Sequence, residues 1–105
     1  MSDTALLYVT FPSKAEAERV AETVTAERLA ACVNILGACT SIYRWEGRTE
    51  RAEEVPALFK TRAMMAGRLQ ARITELHSYE LPVIESWPVT PSTTAAAWIA
   101  AETTG

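Results

Sequence analysis

His77, in the segment HSYELP, is the chain's one histidine and its most versatile candidate for chemistry. Its imidazole could bind copper or zinc, with the Cys39 thiol or the Glu80 carboxylate as a second ligand. The alternative is a structural histidine that ends a helix and bonds to backbone carbonyl groups. The spacing of these residues along the chain does not decide between the two interpretations.

Lys60, near the end of a predicted strand, is the second candidate. It either pairs with Glu54 or Glu80 or supplies the positive charge of an anion-binding cleft, for which Tyr79 and Glu54 are further candidate contacts. Glu53 and Glu54 are adjacent, so on a strand they point to opposite faces and cannot act as a catalytic carboxylate pair.

The chain carries no recognisable catalytic motif. It has no glycine-rich phosphate loop, HExxH motif or paired CxxC motif, and one histidine without evident partners does not make a triad. We therefore predict a protein that is not an enzyme and has no obligatory cofactor. Cys32 and Cys39 lie in one predicted strand, which would place them roughly 23 Å apart, so we expect two reduced thiols.

Length and charge narrow the class of protein further. The 105 residues predict one domain over 1–105, and the net charge of −3 disfavours nucleic acid as a partner. The first residues lack the pattern of a signal peptide, and no apolar run is long enough to span a membrane. We expect a cytoplasmic protein without a membrane segment.

Hydrophobic periodicity predicts seven elements, in the order strand, helix, strand, strand, helix, strand, helix. This order is typical of an α+β, ferredoxin-like βαββαβ sandwich with a short additional C-terminal helix. On the first helix, Glu16, Glu18, Arg19 and Glu22 are expected to form a solvated face. The predicted strands cover 5–11, 32–46, 48–61 and 83–89, and the predicted helices cover 14–28, 64–76 and a segment that begins after Ser92 or Thr93.

The two central strands form a hairpin that is too long for its own domain. Fifteen extended residues would measure about 50 Å, whereas a compact chain of this length is roughly 34 Å across. Gly37 predicts a bulge in the first strand, opposite Pro56 in the second. The aromatic residues Tyr43 and Trp45 near the turn would then need a second copy of the chain to cover them, unless the ribbon bends back over its own sheet.

Several segments, in this order, resemble the CutA divalent-cation-tolerance family: YVTFPS, ERLAACVNI, SIYRWEG and HSYELP. The resemblance spans nearly the whole chain. It implies a ferredoxin-like homotrimer joined through its long hairpins, with Tyr43, Arg44 and Trp45 at the interface. It also implies a cytosolic protein linked to tolerance of copper and other divalent cations, with no established reaction.

The chain departs from the family pattern at positions near His77. Ser78 replaces a proline and Val83 replaces a glutamate, while Val9 and Leu76 stand where some members carry a cysteine and a second histidine. Pro56 lies in a strand that other members fill with apolar residues. The resemblance therefore implies weak metal binding here, around His77, Glu80 and Cys39.

Two other classes of function are compatible with the same architecture. A regulatory trimer similar to the PII signalling proteins would bind a small anionic metabolite or a nucleotide between subunits. A purely structural assembly module would use its aromatic residues for the trimer alone. Ligand-dependent stabilisation would distinguish the first of these from the second.

Overall fold

The computed structural model describes residues 3–105, which form one antiparallel sheet and three helices. The seven-element order expected from the sequence, including the C-terminal helix, is observed, with the first hairpin strand divided in two. The strands are β1 (Thr4–Phe11), β2 (Cys32–Ile35), β3 (Cys39–Trp45), β4 (Arg48–Arg62) and β5 (Ile84–Val89), and the helices are α1 (Lys14–Ala26), α2 (Ala66–Leu76) and α3 (Thr93–Glu102).

The strands of the main sheet lie in the order β2-β4-β1-β5, and β3 continues the hairpin by pairing with β4. Every pairing is antiparallel. The predicted mixed α+β class is therefore confirmed. Within residues 3–105, no helix is long and apolar enough to cross a membrane.

One face of the sheet packs against α1 and α2 and forms the core. Alternate residues of β1 point to this face, so Leu7, Val9 and Phe11 are completely buried. They meet residues that recur at helical spacing on the two helices. The core also contains Ala57, Phe59, Val20, Val24, Leu69 and Ile73.

The opposite face of the sheet, which we term the outer face, is defined by Leu6, Tyr8, Leu58, Lys60 and Trp87. These residues share a side because directly paired residues of antiparallel strands point the same way. Tyr8 and Trp87 stack with their ring centroids 5.7 Å apart. Helix α3 covers only one end of this face, so Trp87 remains 43% exposed.

The predicted bulge divides the long hairpin strand into β2 and β3. Ile35 pairs with Ala57 and Cys39 pairs with Glu54, so three residues of one strand face two residues of the other. The Leu36 N–H donates to the Pro56 carbonyl over 2.9 Å. A strand residue directs its nitrogen and its carbonyl to the same edge, so the missing N–H of Pro56 faces the bulge, where no regular ladder bond is needed.

The hairpin extends beyond the body and does not fold back over the sheet. The molecule measures 44 Å along its longest axis but only 26 and 23 Å across. Among residues 3–105, strand β3 pairs with β4 alone, and Ile42, Tyr43 and Trp45 are 65%, 44% and 41% exposed. The alternative in which the ribbon bends back is wrong for this chain.

Both long helices differ slightly from their expected bounds. Helix α1 ends at Ala26, two residues early, because Arg28 adopts a left-handed conformation with φ 62° that stops the helix. Helix α2 is preceded by a short 3-10 turn, Ala63–Met65, which overlaps the start of the predicted helix at 64–76. Ser92 caps α3 through its hydroxyl, which accepts from the Ala95 N–H over 3.4 Å.

Candidate functional site

His77 lies at the C-terminal end of α2, and both nitrogens of its ring are occupied by the backbone. Nδ1 accepts the Tyr79 N–H over 3.1 Å, and Nε2 lies 2.8 Å from the Thr10 carbonyl oxygen. An N–H can only donate and a carbonyl can only accept, so the ring is neutral and carries its proton on Nε2. It stacks on Phe11 with centroids 4.6 Å apart, and its side chain is fully buried.

Glu16 is the unexpected member of this site. The solvated face predicted for α1 is wrong at this position, because Glu16 is only 7% exposed, whereas Glu18, Arg19 and Glu22 lie in solvent as expected. The Ser13 hydroxyl caps the helix by accepting the Glu16 N–H over 3.2 Å. The Glu16 carboxylate turns away from that cap and accepts the Ser78 N–H over 3.0 Å.

The environment of Glu16 keeps its carboxylate ionised. Burial opposes ionisation, but hydrogen bonds from the Ser78 backbone and side chain outweigh it and hold the pKa of Glu16 below its usual value. The nearby positive charge of Arg19 acts in the same direction. Glu16 Oε2 lies 3.5 Å from His77 Nδ1. The site therefore contains a buried negative charge beside a neutral imidazole.

Tyr79 joins the histidine to the base of the hairpin. Its hydroxyl donates to Glu54 Oε2 over 2.6 Å, and its ring lies against His77 at a centroid distance of 4.6 Å. Burial and the neighbouring Glu54 carboxylate raise the pKa of Tyr79. The adjacent Glu53 points the other way, into solvent, and accepts the Thr40 hydroxyl over 2.6 Å. The predicted split of the two glutamates between opposite faces is thus observed.

The three predicted metal ligands do not form a ready site in one chain. The described part of the chain contains no cluster of three His, Cys, Asp or Glu side chains able to hold a metal ion. Glu80 is exposed, and Cys39 is half-buried and faces Glu54 across the hairpin. Because both nitrogens of His77 are hydrogen-bonded, a metal at Nδ1 would have to displace the Tyr79 N–H. Both cysteines are free thiols.

The remaining candidates are distributed over the outer face and the hairpin tip. Of the ion pairs among residues 3–105, none involves Lys60, so the predicted pairing with Glu54 or Glu80 is absent. Tyr43, Arg44 and Trp45 lie at the exposed end of the hairpin. The Arg44 guanidinium donates to the Gly47 carbonyl over 3.0 Å and so braces the turn.

Sequence reasoning identified His77, Tyr79 and Glu54 but missed two neighbours of His77, the Glu16 carboxylate and the Thr10 carbonyl. It also missed the Ser78 N–H, which donates to Glu16. Ser78 was noticed only as the loss of a proline. The signal lies in that change, because a residue other than proline supplies the N–H that the carboxylate accepts.

These features define a small α+β protein with a projecting hairpin and a network of buried His and Glu side chains with a half-buried Tyr, where the hairpin joins the body. Residues 5–102 match the family described as "CutA1 divalent ion tolerance protein". The match covers nearly the whole chain, including the network and the hairpin. The chain belongs to the CutA1 divalent ion tolerance family.

Individual relatives agree with this assignment. The chain is 44% identical over 79 residues to the divalent-cation tolerance protein CutA of Pyrococcus horikoshii, covering 75% of this chain and 76% of that one. It is 39% identical over 84 residues to the Thermus thermophilus protein of the same name, covering 80% and 82%. The structure described as the periplasmic divalent cation tolerance protein CutA from Archaeoglobus fulgidus matches with a TM-score of 0.92 and 34% identity, covering 95% and 98%.

Proposed function

We propose that this protein acts in divalent-cation tolerance as a non-enzymatic homotrimer that binds copper or another divalent cation weakly. The observation that carries the proposal is the family match over residues 5–102. The names of the family and of the relatives describe tolerance of cations, and none of them names a catalytic activity. A cytoplasmic location is part of the proposal, although the Archaeoglobus relative is described as periplasmic.

Two uncovered apolar surfaces support the proposed trimer. The first is the hairpin tip, where Ile42, Tyr43 and Trp45 are exposed. The second is α3, an alanine-rich helix that is apolar on most sides, yet only Ile99 is buried and Trp98 is 48% exposed. A helix that is apolar all round usually packs against protein on more than one side.

The two surfaces are different parts of the chain, so a contact between the tip of one copy and α3 of another would join unlike patches. An interface between unlike patches is head-to-tail, and a head-to-tail interface closes into a ring when the rotation between copies allows it. A trimer is the ring that we propose. Each hairpin tip would pack on the outer face or on α3 of the next copy.

The geometry of His77 supports weak metal binding. The imidazole keeps its two backbone hydrogen bonds only while no metal is bound, so a metal must offset the loss of at least one of them. Glu80 is exposed and would supply a carboxylate oxygen to the metal, and Cys39 is half-buried and would supply its sulfur. Metal binding would therefore involve a local rearrangement of the segment from His77 to Glu80.

Calorimetric titration of metal-free protein with Cu²⁺ tests the metal proposal. We expect saturable binding that is weakened at least about tenfold in His77→Asn and Cys39→Ser, since each variant removes a ligand. The chain offers a matched control in Cys32→Ser, because Cys32 is the second free thiol and lies outside the proposed site. Each variant is first shown to have the oligomeric mass of the parent protein.

The proposal fails in its metal part if the parent protein does not bind Cu²⁺, or if His77→Asn binds as tightly as the parent. Equal losses in the two cysteine variants would indicate general thiol chemistry and would also contradict the site. The titration is then repeated with Zn²⁺, which is redox-inactive and therefore cannot oxidise the thiols as copper can.

A further inference from the structure

Helix α3 is attached to the body of the protein mainly at its C-terminal end. Along the helix only Ile99 is buried, and the large side chain of Trp98 is exposed. The residue that follows the helix, Thr103, is completely buried. The position of α3 therefore depends on contacts at its end more than on a broad apolar face.

The last carbonyl groups of α3 receive hydrogen bonds from outside the helix. Such carbonyls lack partners within a helix and carry the negative end of its dipole. The last turn of α3 contains no basic residue, and Arg28, just after α1, supplies the positive charge instead. Its guanidinium donates to the carbonyls of Ala101 and Glu102 over 2.6 and 3.3 Å.

Two further arginines hold the segment that follows α3. Arg62, at the end of β4, donates from Nε to the Thr103 hydroxyl over 3.1 Å and from a second nitrogen to the Thr103 carbonyl. Arg68, on α2, donates to the Gly105 carbonyl. The three arginines come from different parts of the fold and converge on residues 101–105. We term this arrangement the clasp.

The backbone at the clasp fits closely on both sides. The Gly105 N–H donates to the Arg28 carbonyl over 3.0 Å, and a Cβ at Gly105 would lie 2.0 Å from the Glu27 carbonyl oxygen, so a side chain does not fit there. Arg28 itself has φ 62°, an uncommon conformation for its residue type. Such a conformation is retained where the surrounding contacts stabilise it.

We propose that the clasp is a positioning device, which fixes α3 in the orientation in which the next copy of the chain contacts it. This inference rests on the proposed trimer, in which α3 is one of the surfaces in contact. The three arginines act through α3 and need not touch the next copy. Because the next copy contacts the docked helix, closure of the clasp and assembly of the trimer stabilise each other.

Hydrogen exchange followed by mass spectrometry tests whether the clasp holds α3. Arg62→Met removes both bonds to Thr103. Arg28→Asn removes the bonds to the end of α3 but favours the left-handed backbone, so its effect comes from the lost guanidinium. Exchange is measured at a concentration at which parent and variants have the same mass. We expect exchange in α3 to become at least about tenfold faster in each variant and exchange in β1 to stay unchanged.

Light scattering over a dilution series tests the link to assembly. Each clasp variant should dissociate at a protein concentration at least about tenfold higher than the parent. Arg19→Met is the matched control, because Arg19 is exposed on α1, outside the clasp, and it should change neither exchange in α3 nor dissociation.

Three results would overturn the proposal. Unchanged exchange of α3 in both variants would show that the arginines do not hold the helix, and equally faster exchange in β1 would show that they stabilise the whole fold. Faster exchange in α3 with unchanged dissociation would remove the link to assembly. A parent protein that is monomeric at every concentration would contradict the proposed trimer itself, and exchange in α3 would still decide whether the clasp holds the helix.

Discussion

The two ends of the hairpin differ in whether their side chains find partners. The base is the region of Glu54, His77 and Tyr79, and the tip is the region of Ile42 to Trp45. At the base, Glu54 is 8% exposed and receives the Tyr79 hydroxyl, and His77 bonds to the backbone on both sides of its ring. At the tip, Ile42 and Trp45 are 65% and 41% exposed, and within the described part of the chain β3 pairs only with β4. One chain supplies partners for the polar groups at the base, whereas it leaves the apolar side chains of the tip exposed.

This difference separates residues whose partners lie inside the fold from residues that are exposed for the proposed contact between copies. Buried polar groups must find partners inside the fold, because leaving one unpaired costs about 1–3 kcal/mol. Exposed aromatic residues carry no such cost in the monomer, but covering them in an interface releases free energy. We therefore expect substitutions at the base to change folding stability and substitutions at the tip to change oligomeric mass.

The largest expected effect comes from Trp45→Glu at the tip. A charge in place of an interface tryptophan should weaken each contact between copies by at least about 2 kcal/mol, roughly 30-fold in affinity. Light scattering after size exclusion should then show a change from three chains per particle to one. Ala71→Glu is the control, because Ala71 is exposed on α2, on the other face of the sheet and away from the hairpin tip.

A trimeric Trp45→Glu protein would contradict the role assigned to the tip, and a monomeric parent protein would remove the trimer itself. Either result would leave the free energy of unfolding as the one property in which the base and the tip are expected to differ.

A smaller effect is expected from Tyr79→Phe at the base. The change removes the hydroxyl that donates to the buried Glu54 carboxylate, and a hydrogen bond to a charged group contributes about 1.5–3 kcal/mol. Urea unfolding should show this loss in the free energy of unfolding. Tyr43→Phe removes the same atom at the exposed tip and should change the free energy by less than about 0.5 kcal/mol. Equal losses in the two variants would erase the distinction between base and tip.

The smallest effect concerns the pH dependence contributed by Glu16. Its pKa is lower in the folded protein than the usual value of 4.5, so the ionised form stabilises the fold above that value. This stabilisation is lost as the pH falls through the lowered folded pKa. Glu16→Gln, which keeps the shape but not the charge, should be less stable than the parent by about 1 kcal/mol near neutral pH.

The difference between Glu16→Gln and the parent should shrink in acid, which urea unfolding at several pH values would measure. Glu18→Gln, on the exposed side of the same helix, serves as the matched control. A gap that stays constant as the pH falls, or an equal pH-dependent gap in Glu18→Gln, would show that Glu16 is not the buried ionised group.

Much of the fold followed from local patterns in the sequence. Periodicity identified the order of strands and helices, and the Ser92 cap is observed. Gly37 and Pro56 indicated the bulge because a glycine weakens a strand and a proline cannot donate to the ladder, wherever they occur in it. The boundary of α1 was missed because the left-handed conformation of Arg28 is not favoured by its residue type.

The site was less predictable than the fold. The sequence identifies His77, Tyr79 and Glu54 as site residues. It places Glu16 in solvent, which is wrong, and it predicts an ion pair for Lys60 that is absent from residues 3–105. A carboxylate in the first turn of a helix has the same sequence pattern whether it faces water or the next loop. Its partner, the Ser78 N–H, lies 62 residues away along the chain.

The sequence by itself determined the elements, the length of the hairpin and the family, because these depend on local residue types and on their order. Only the tertiary structure decided that Glu16 is buried beside a neutral His77, that Tyr79 closes on Glu54, and that three arginines hold the end of α3. The physical reason is that each of these facts depends on contacts between residues far apart in the chain. Such contacts set burial, charge pairing and proton position, and they exist only after the sheet and helices have packed.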